Sequence, residues 1–329
     1  MSRPLRVVIV GGVAAGPKVA SKIIRLCQDA EVTIVEKGKL LSYAGCGLPY
    51  YVSGVVKDQK ELMCTPVGTV RDPVFFQNVK NVKILNETEA TEIDRASRRL
   101  KIRDVLHGKE SWLTYDKLVL ATEARPVVPP IPGTDLDNVF TLQGVHDAEG
   151  IRAALVQDKA RDAVIVGGLI GVEITEALAQ RGCRVTIVEM MPQILRILGS
   201  DMVRLVEQHM ESHGVRVLTD TRLEKIEGEK SVTAVQTSAG RIAADLVVLA
   251  IGVRPNVTLA EAAGLELGAT GAIKVNESMQ TSDPSIYAAG DCVECRDLMT
   301  GKPCFVPLAT RLRRPIAMRP IRVSPALSS

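Results

Sequence analysis

One strand-turn-helix-strand unit occurs twice in this chain, and the repetition limits the fold more than any other feature. Each copy contains Val-Ile-Val-Gly-Gly, at residues 8–12 and 164–168, and later Val-Thr-Ile-Val-Glu, at residues 32–36 and 185–189. Short β-branched runs that end at glycine are typical of buried parallel strands, and apolar residues at helical spacing lie between the two runs. We therefore expect an α/β fold with two Rossmann-like domains, built on parallel sheets in three layers.

The glycines of each repeat predict a binding site for a dinucleotide. Without side chains they let the backbone approach a pyrophosphate, which then lies on the unpaired N–H groups at the N-terminus of the following helix. The acid that ends the second strand, Glu36 or Glu189, would bind a ribose hydroxyl. A single such turn is also compatible with an ordinary strand-to-helix connection, but two copies with both acids favour dinucleotide binding.

The two turns differ in length. Residues 11–16 keep the spacing of the six-residue dinucleotide motif, with Val13 in place of the middle glycine, so we expect this turn to bind. Residues 167–171 form a turn that is one residue shorter than the motif. Glu189 would repel the extra phosphate of NADP and therefore favours NAD at the second site.

Length, charge and cysteine content narrow the class of protein. A chain of 329 residues with 46% hydrophobic residues is long enough for two cores. The formal net charge is only +3 and the basic residues are scattered, so no nucleic acid partner is expected. No apolar stretch approaches the roughly 18 residues of a membrane span, and the first residues lead directly into a strand instead of a secretory signal. Seven cysteines fit a reducing compartment, so we expect a cytoplasmic protein without a membrane partner.

Cys46 is the first candidate for chemistry because glycines flank it on both sides. A thiol so placed is reachable and available as a nucleophile, although a small buried thiol in a turn is the alternative for any single cysteine. Cys292 and Cys295, with Cys304 further on, have no second pair or neighbouring histidine. We therefore interpret them as thiols in a loop and expect no metal site.

The segment around this cysteine resembles a known family. Residues 42–51, Ser-Tyr-Ala-Gly-Cys-Gly-Leu-Pro-Tyr-Tyr, resemble the single-cysteine branch of the pyridine nucleotide-disulfide oxidoreductases, which includes coenzyme A disulfide reductase and the NADH oxidases and peroxidases. Residues 281–291 resemble the second FAD motif of that family, and residues 126–133 and 251–256 resemble its connections into and out of the NAD domain. The resemblance covers roughly residues 5–308.

The family implies a division into domains. A FAD-binding domain would comprise residues 1–122 and 253–308, and a NAD-binding domain, residues 123–252, would be inserted into it. Family members continue with a helix under the flavin and then a dimer-interface domain, through which they form homodimers. Here residues 309–329 contain five arginines and three prolines without a helical period. We expect a disordered tail outside the family fold and no interface domain.

The resemblance also implies a path for electrons. NADH would reduce FAD, and both electrons would pass to Cys46, held as a mixed disulfide with coenzyme A or as a sulfenic acid. The two-cysteine branch would have a second thiol at Leu41, so no internal disulfide is expected at this site. Ala14 replaces the histidine of the oxidases and peroxidases, which favours a small-molecule disulfide, persulfide or polysulfide as the acceptor. An NADH oxidase or peroxidase is the alternative, and a flavin-binding remnant with little activity is a third.

The matches imply roles for individual residues. In the coenzyme A enzymes an arginine of the first helix and a serine before the cysteine contact the substrate, which implies substrate binding by Arg25 and Ser42. Lys22, about one turn earlier, would add a phosphate contact, with an ordinary solvated lysine as the alternative. Cys46 and Ser42 are the predicted catalytic residues. The expected cofactors are FAD and NADH, with NADPH as an alternative. The predicted FAD-binding residues are Gly11, Gly12, Val13, Ala14, Ala15, Gly16, Glu36, Lys37, Ala121, Thr122, Gly290 and Asp291. The predicted NAD-binding residues are Gly167, Gly168, Leu169, Ile170, Gly171, Glu189 and Gly252.

Two substitutions depart from the family pattern near these sites. Glu123 stands where the family has glycine, and it adds bulk and negative charge near a pyrophosphate. Gly45 replaces the asparagine often found before the active cysteine, which removes a polar contact to the substrate. Glu123, the short second turn and the missing interface domain are the features that motivate the hypothesis of a remnant.

Overall fold

The computed structural model of the protein describes residues 3–307. Up to the second glycine turn the elements are, in chain order, β1 Arg6–Val10, α1 Ala15–Leu26, β2 Glu31–Val35, a 3-10 helix Gly45–Gly47, α2 Leu48–Ser53, a 3-10 helix Gln59–Met63, α3 Pro73–Lys80, β3 Val82–Leu85, β4 Thr88–Asp94, β5 Arg99–Asp104, β6 Glu110–Thr114, β7 Lys117–Leu120, β8 Ala124–Pro126, β9 Val139–Phe140, α4 Val145–Val156 and β10 Asp162–Val166. From that turn onward they are α5 Leu169–Gln180, β11 Arg184–Val188, α6 Ser200–Ser212, β12 Arg216–Leu218, β13 Leu223–Gly228, β14 Val232–Thr237, β15 Gly240–Ala243, β16 Leu246–Leu249, β17 Val253–Pro255, α7 Thr258–Ala262, β18 Ile286–Ala288, β19 Cys295–Arg296 and β20 Pro303–Cys304.

These elements form two compact units. The described part of the first comprises residues 3–44, 63–124 and 255–307, and the second comprises Gly45–Leu62 and Arg125–Arg254. The chain crosses between them in strands β8 and β17, two residues after each boundary expected from the sequence. Residues 45–62 group with the second unit, which the sequence did not indicate. Which cofactor each unit binds stays a prediction, and the tail predicted at 309–329 lies outside the described residues.

Helix α2 explains why residues 45–62 group with the second unit. It packs against α4 and α5 of that unit. The carbonyl oxygen of Tyr51 accepts a hydrogen bond from Arg152 Nη1 at 2.7 Å, and the Arg152 guanidinium lies 4.3 Å from the centroid of the Tyr51 ring. Contacts of this kind depend on tertiary packing and leave no local pattern in the sequence.

The first unit has three layers around a parallel sheet of order β18-β7-β1-β2-β3. Successive side chains of a strand point to opposite faces, and β1 buries both sets. Val7 and Ile9 pack with α1, whose Val19 and Ile23 are buried. Val8 and Val10 pack on the other face with residues of the antiparallel sheet β4-β5-β6. The third layer is therefore an antiparallel sheet.

The second unit repeats this architecture. Its parallel sheet has the order β12-β11-β10-β16-β9, and its antiparallel sheet has the order β13-β14-β15. On the face opposite α5, Val164 and Val166 pack with Leu223, Ile226 and other residues of the antiparallel sheet. Strands β10, β11, β12 and β16 thus take the places of β1, β2, β3 and β7. The repeat seen in the sequence is a repeat of the whole sheet, which confirms the α/β fold with two Rossmann-like domains.

None of the helices formed by residues 3–307 has the length and apolar character needed to cross a membrane.

Candidate functional site

The first glycine turn brings backbone segments closer than side chains would allow. Gly11 has φ +110°, and a Cβ atom there would overlap the carbonyl oxygen of Ala121, the residue that follows β7. A Cβ atom on Gly16 would overlap the carbonyl oxygen of Gly11. Both positions therefore require glycine for the strand, the turn and helix α1 to pack together. The approach of the backbone to a pyrophosphate, for which the sequence pattern was interpreted, stays a prediction.

Glu36 lies against this turn, as its position at the end of β2 predicted. Its Oε2 accepts a hydrogen bond from Gly12 N at 2.6 Å, and its Oε1 accepts one from Gly38 N at 2.7 Å. Burial raises the pKa of the Glu36 carboxyl. Its neighbour Lys37 is exposed, and the Lys37 ammonium pairs with Glu89 at 2.8 Å.

The predicted residues from distant parts of the first unit meet at the same sheet edge. Ala289 N donates to Leu120 O at 2.8 Å, which aligns the ends of β18 and β7. Gly290 follows with φ +87°, and a Cβ atom there would lie 2.9 Å from Cβ of Ala15, the first residue of α1. Burial raises the pKa of Asp291, the next residue. Residues 11–16, 36, 121–122 and 290–291 therefore line one edge, where β1, β2, β7 and β18 end.

Glu123 joins Glu36 and Asp291 in what we call the carboxylate cluster. Burial, followed by the negative charges of Glu36 and Asp291, raises the pKa of Glu123 to about 7. The Glu123 carboxyl also accepts a hydrogen bond from the backbone N–H of Ala14, within the glycine turn. Its backbone has φ +59°, a conformation that glycine adopts at lower cost. Among residues 3–307, no group of His, Cys, Asp and Glu side chains has the arrangement of a metal site.

Asn256 also belongs to this edge, although the sequence analysis did not select it as a site residue. Thr122 Oγ1 donates to the carbonyl oxygen of Asn256 at 2.6 Å, and Asn256 N donates to Glu123 O at 2.9 Å. These bonds hold the segment that contains Thr122 and Glu123. They are made by backbone atoms of Asn256, so its residue type carried no signal.

The second turn keeps the backbone frame of the first. Gly11 N donates to Val35 O at 2.9 Å, and Gly167 N donates to Val188 O at 3.0 Å. Gly167 has φ +102°, and a Cβ atom there would lie 2.6 Å from the carbonyl oxygen of Ala250. Ala250 thus takes the place of Ala121. The sequence analysis did not select Ala250 as a site residue. A Leu-Ala pair stands at the end of both β7 and β16, and this match could have indicated that Ala250 corresponds to Ala121.

The second turn is short in the structure as well as in the sequence. Four residues separate β1 from α1, whereas only Gly167 and Gly168 separate β10 from α5. Leu169 and Ile170 are therefore the first residues of the helix, and Leu169 is exposed. The second turn itself therefore contains two backbone N–H groups where the first contains four, two of which already donate to the Glu36 and Glu123 carboxylates.

The remaining predicted residues of the second unit lie at the same edge of its sheet. Glu189 directly follows β11, is buried, and accepts a hydrogen bond from Met191 N at 2.9 Å through Oε1. Gly252 lies three residues beyond the end of β16, has φ +119° and accepts a hydrogen bond from Val127 N at 2.9 Å through its carbonyl oxygen. Gly171 packs inside the unit, since a Cβ atom on it would lie 3.0 Å from Ile165 Cγ2.

Cys46 is exposed, so the alternative of a buried thiol is wrong. It occupies the middle of the 3-10 helix Gly45–Gly47, directly before α2. Leu48 and Pro49 are buried, which fixes the base of the turn and leaves the cysteine in solvent.

The predicted substrate-binding residues are divided between buried and exposed positions. Ser42 is buried, has φ +52°, and donates its backbone N–H to Gly12 O at 2.8 Å. Lys22 and Arg25 are exposed on α1, and Arg25 Nε donates to Ser21 O at 3.3 Å. Within the described residues, no hydrogen bond or ion pair joins either cation to Ser42. The roles of these residues stay predictions.

Comparison with known proteins gives the family. Residues 5–311 match the sequence profile of the family described as pyridine nucleotide-disulphide oxidoreductase. The chain belongs to this family. The resemblance stated from the residues around Cys46 and from the second FAD motif is thereby confirmed.

Relatives within the family carry related names. An "NADH oxidase" of Methanocaldococcus jannaschii is 38% identical over 93% of this chain and 67% of its own length. An "NAD(P)H coenzyme A polysulfide/persulfide reductase" of Pyrococcus horikoshii is 38% identical over 92% of this chain and 66% of its own length. A solved structure of "a NAD-Dependent Persulfide Reductase from A. fulgidus" is 46% identical, with a TM-score of 0.90 over 92% of this chain and 56% of that one. The chain therefore spans between about half and two thirds of the length of these relatives.

Proposed function

We propose that the chain is the FAD- and nicotinamide-binding part of an oxidoreductase that delivers electrons from NADH, through FAD and Cys46, to a small disulfide, persulfide or polysulfide such as coenzyme A disulfide. The observation that carries this proposal is the exposed Cys46, in a segment that resembles the single-cysteine branch. Relatives named as persulfide reductases, at 46% and 38% identity, support this substrate class. We also propose that the protein acts in the cytoplasm.

The residues of the first unit fit FAD. The glycine turn and the N-terminus of α1 would bind the pyrophosphate through backbone N–H groups. Glu36 would bind the ribose, and Asp291, which is half-buried and whose pKa is raised by burial, would bind the ribityl chain. When bound, FAD supplies the capacity to take up a hydride from NADH and to release two electrons to a sulfur atom.

The second unit would bind the nicotinamide cofactor. Gly167 and the N-terminus of α5 would hold its pyrophosphate, and Glu189 would hold its ribose. Because the Glu189 carboxylate would repel a ribose phosphate, we propose NADH as the donor, with NADPH as the alternative.

Cys46 would exchange with the disulfide substrate. Its thiolate attacks one sulfur of the substrate, the substrate S–S bond breaks, and one thiolate leaves and takes a proton from solvent while a Cys46–substrate disulfide forms. Two electrons and one proton then release the second thiol and regenerate the Cys46 thiolate. Leu41, five residues earlier, is buried and offers no second thiol, so the mixed disulfide with the substrate is the form that is reduced.

Lys22 and Arg25 would serve a phosphorylated substrate. Both are exposed, and they lie three residues apart on α1, which places them on neighbouring positions of one helix surface. Coenzyme A carries phosphate groups that two such cations would attract. This is the reason for preferring coenzyme A disulfide within the substrate class.

An NADH oxidase or peroxidase is the second candidate function. It is favoured by the relative of Methanocaldococcus jannaschii, which is named as an NADH oxidase. Against it, Ala14 has no group that would hold a peroxide beside a sulfenic acid. A flavin-binding remnant is the third candidate, favoured by Glu123 and the short second turn.

Assays of NADH consumption with coenzyme A disulfide, oxygen or peroxide as the acceptor, together with a Cys46→Ser variant, test these candidates. Thiol release from coenzyme A disulfide at the expense of NADH should fall by at least about 100-fold in Cys46→Ser, because the exchange step is removed. Cys64→Ser, which removes a cysteine of the first unit, should retain the activity. A normal rate in Cys46→Ser would overturn the proposal. NADH loss driven only by oxygen or peroxide would favour the NADH oxidase or peroxidase. NADH turnover no faster than with free FAD would favour the flavin-binding remnant.

A further inference from the structure

Two cysteines that the proposed function does not use face each other in a short hairpin. Strands β19 and β20 pair antiparallel, and the ladder places Cys295 directly opposite Cys304. Side chains of directly opposed residues project from the same face of a sheet. The hairpin begins four residues after Asp291, in the first unit.

The backbone register gives the separation of the two cysteines. Asp297 N donates to Lys302 O at 2.8 Å, so this next pair of the hairpin is hydrogen-bonded. Between the two pairs, Arg296 faces Pro303, which has no N–H and occupies a pair without hydrogen bonds. Because the two kinds of pair alternate, Cys295 and Cys304 form a hydrogen-bonded pair, with Cα atoms about 5.5 Å apart. This value lies within the range of roughly 4.4–6.8 Å found for disulfides.

Accessibility separates this pair from the nearby Cys292. Cys295 and Cys304 are both partly exposed, so a small reagent can reach them. Cys292 is buried, and its Sγ donates to the carbonyl oxygens of Leu120 and Ala289 at 3.5 and 3.4 Å. Burial raises the pKa of the Cys292 thiol. Cys292 is therefore held in the core as a structural thiol.

We propose that Cys295 and Cys304 form a reversible disulfide when the protein meets a small-molecule disulfide, and so constitute a redox site in addition to Cys46. One of the two thiolates attacks a sulfur of the small disulfide, whose S–S bond breaks and releases one thiol. The other cysteine then attacks the protein sulfur of the mixed disulfide and releases the second thiol. The protein loses two electrons and two protons, and the small disulfide is reduced to two thiols.

The test uses the full chain with Cys46→Ser, so that its result does not depend on the proposed function. The protein is incubated with glutathione disulfide, alkylated, digested with trypsin and analysed by mass spectrometry. Trypsin cleaves after Arg296 but not before Pro303, so the two cysteines fall on separate peptides, residues 275–296 and 297–311. We expect these peptides to be linked, with the loss of two hydrogen atoms, and to separate on treatment with dithiothreitol.

Three further variants, each combined with Cys46→Ser, identify which cysteine sulfur atoms form the disulfide. Cys295→Ser and Cys304→Ser should each reduce the linked form by at least about tenfold and leave a glutathione adduct on the remaining cysteine of the pair. Cys183→Ser, the control, should keep the link. Unlinked peptides in the parent protein, or a link that survives Cys295→Ser and therefore involves Cys292, would overturn the proposal.

Discussion

At the scale of single residues, Glu123 combines a strained backbone with a half-buried carboxyl group that keeps its proton up to about pH 7. Its φ of +59° lies in the left-handed region, and burial together with Glu36 and Asp291 raises its pKa to about 7. Its carboxyl also accepts the N–H of Ala14, a group of the turn that we propose for the pyrophosphate. Replacement of Glu123 should therefore change both the stability of the first unit and its affinity for FAD.

The raised pKa of Glu123 predicts a pH dependence of stability. Since the folded protein holds this proton up to about pH 7 and the unfolded chain releases it near pH 4.5, stability is lost as the pH rises between these values. The full effect corresponds to roughly 3 kcal/mol. Glu123→Gln, which cannot ionise, should flatten this part of the profile in urea denaturation. Glu87→Gln, at another glutamate with positive φ, is the control, and equal profiles for wild type and Glu123→Gln would contradict the assignment.

The glycine that the family carries at this position should improve FAD binding. Glu123→Gly removes the charge near the pyrophosphate and frees the Ala14 N–H, so we expect the Kd for FAD, measured by flavin fluorescence, to fall by about tenfold. Glu87→Gly relieves a similar backbone conformation outside the carboxylate cluster. It should gain stability without a change in Kd. Weaker FAD binding in Glu123→Gly would show that the carboxyl assists the cofactor.

Residues whose type is dictated by backbone geometry were predictable from the sequence. Gly12 and Glu36 belong to a motif whose spacing follows from a strand, a tight turn and a helix, and the structure places them together. The presence of a carboxyl group near the first glycine turn was also anticipated, because Glu123 stands where the family pattern has glycine. Asn256 was not anticipated, since it contributes only backbone atoms.

At the scale of elements, the buried strands were predictable and the antiparallel sheets were not. Strands β1 and β10 are buried along nearly their whole length, so each appears in the sequence as an apolar run. Strand β6 has no buried residue, and β4 has only one. Strands with so few buried residues show only a weak alternation of apolar and polar residues. They can therefore be recognised only when the parallel sheet that they cover is known.

The second glycine turn provides a test of the element itself. Gly167→Ala places a Cβ atom 2.6 Å from Ala250 O at φ +102°, so we expect urea denaturation to show a loss of about 2 kcal/mol. Gly214→Ala, in the same unit, is the control for the backbone conformation alone, because its φ is +81° and no atom lies within 4 Å of the added Cβ. It should lose only about 1 kcal/mol. Equal losses in both variants would mean that the turn differs from the one described.

At the scale of the whole molecule, the family resemblance predicted a NAD-binding domain inserted into a FAD-binding domain, and this assignment stays a prediction. In the structure, residues 125–254 of the second unit lie between two parts of the first unit along the chain. The grouping of residues 45–62 could not be predicted, because it depends on the packing of α2 against α4 and α5. The chain spans 56–67% of the length of the relatives compared above. The activity proposed for the whole protein therefore has to be measured on this chain directly.

The central claim is that Cys46 exchanges with a disulfide and is then reduced at the expense of NADH. The most direct measurement is mass spectrometry of the tryptic peptide 40–57, which contains Cys46, after the FAD-loaded chain has been incubated with coenzyme A disulfide without oxygen. We predict a coenzyme A adduct on this peptide that disappears when NADH is added. A peptide without the adduct, or an adduct that persists in the presence of NADH and bound FAD, would contradict the account.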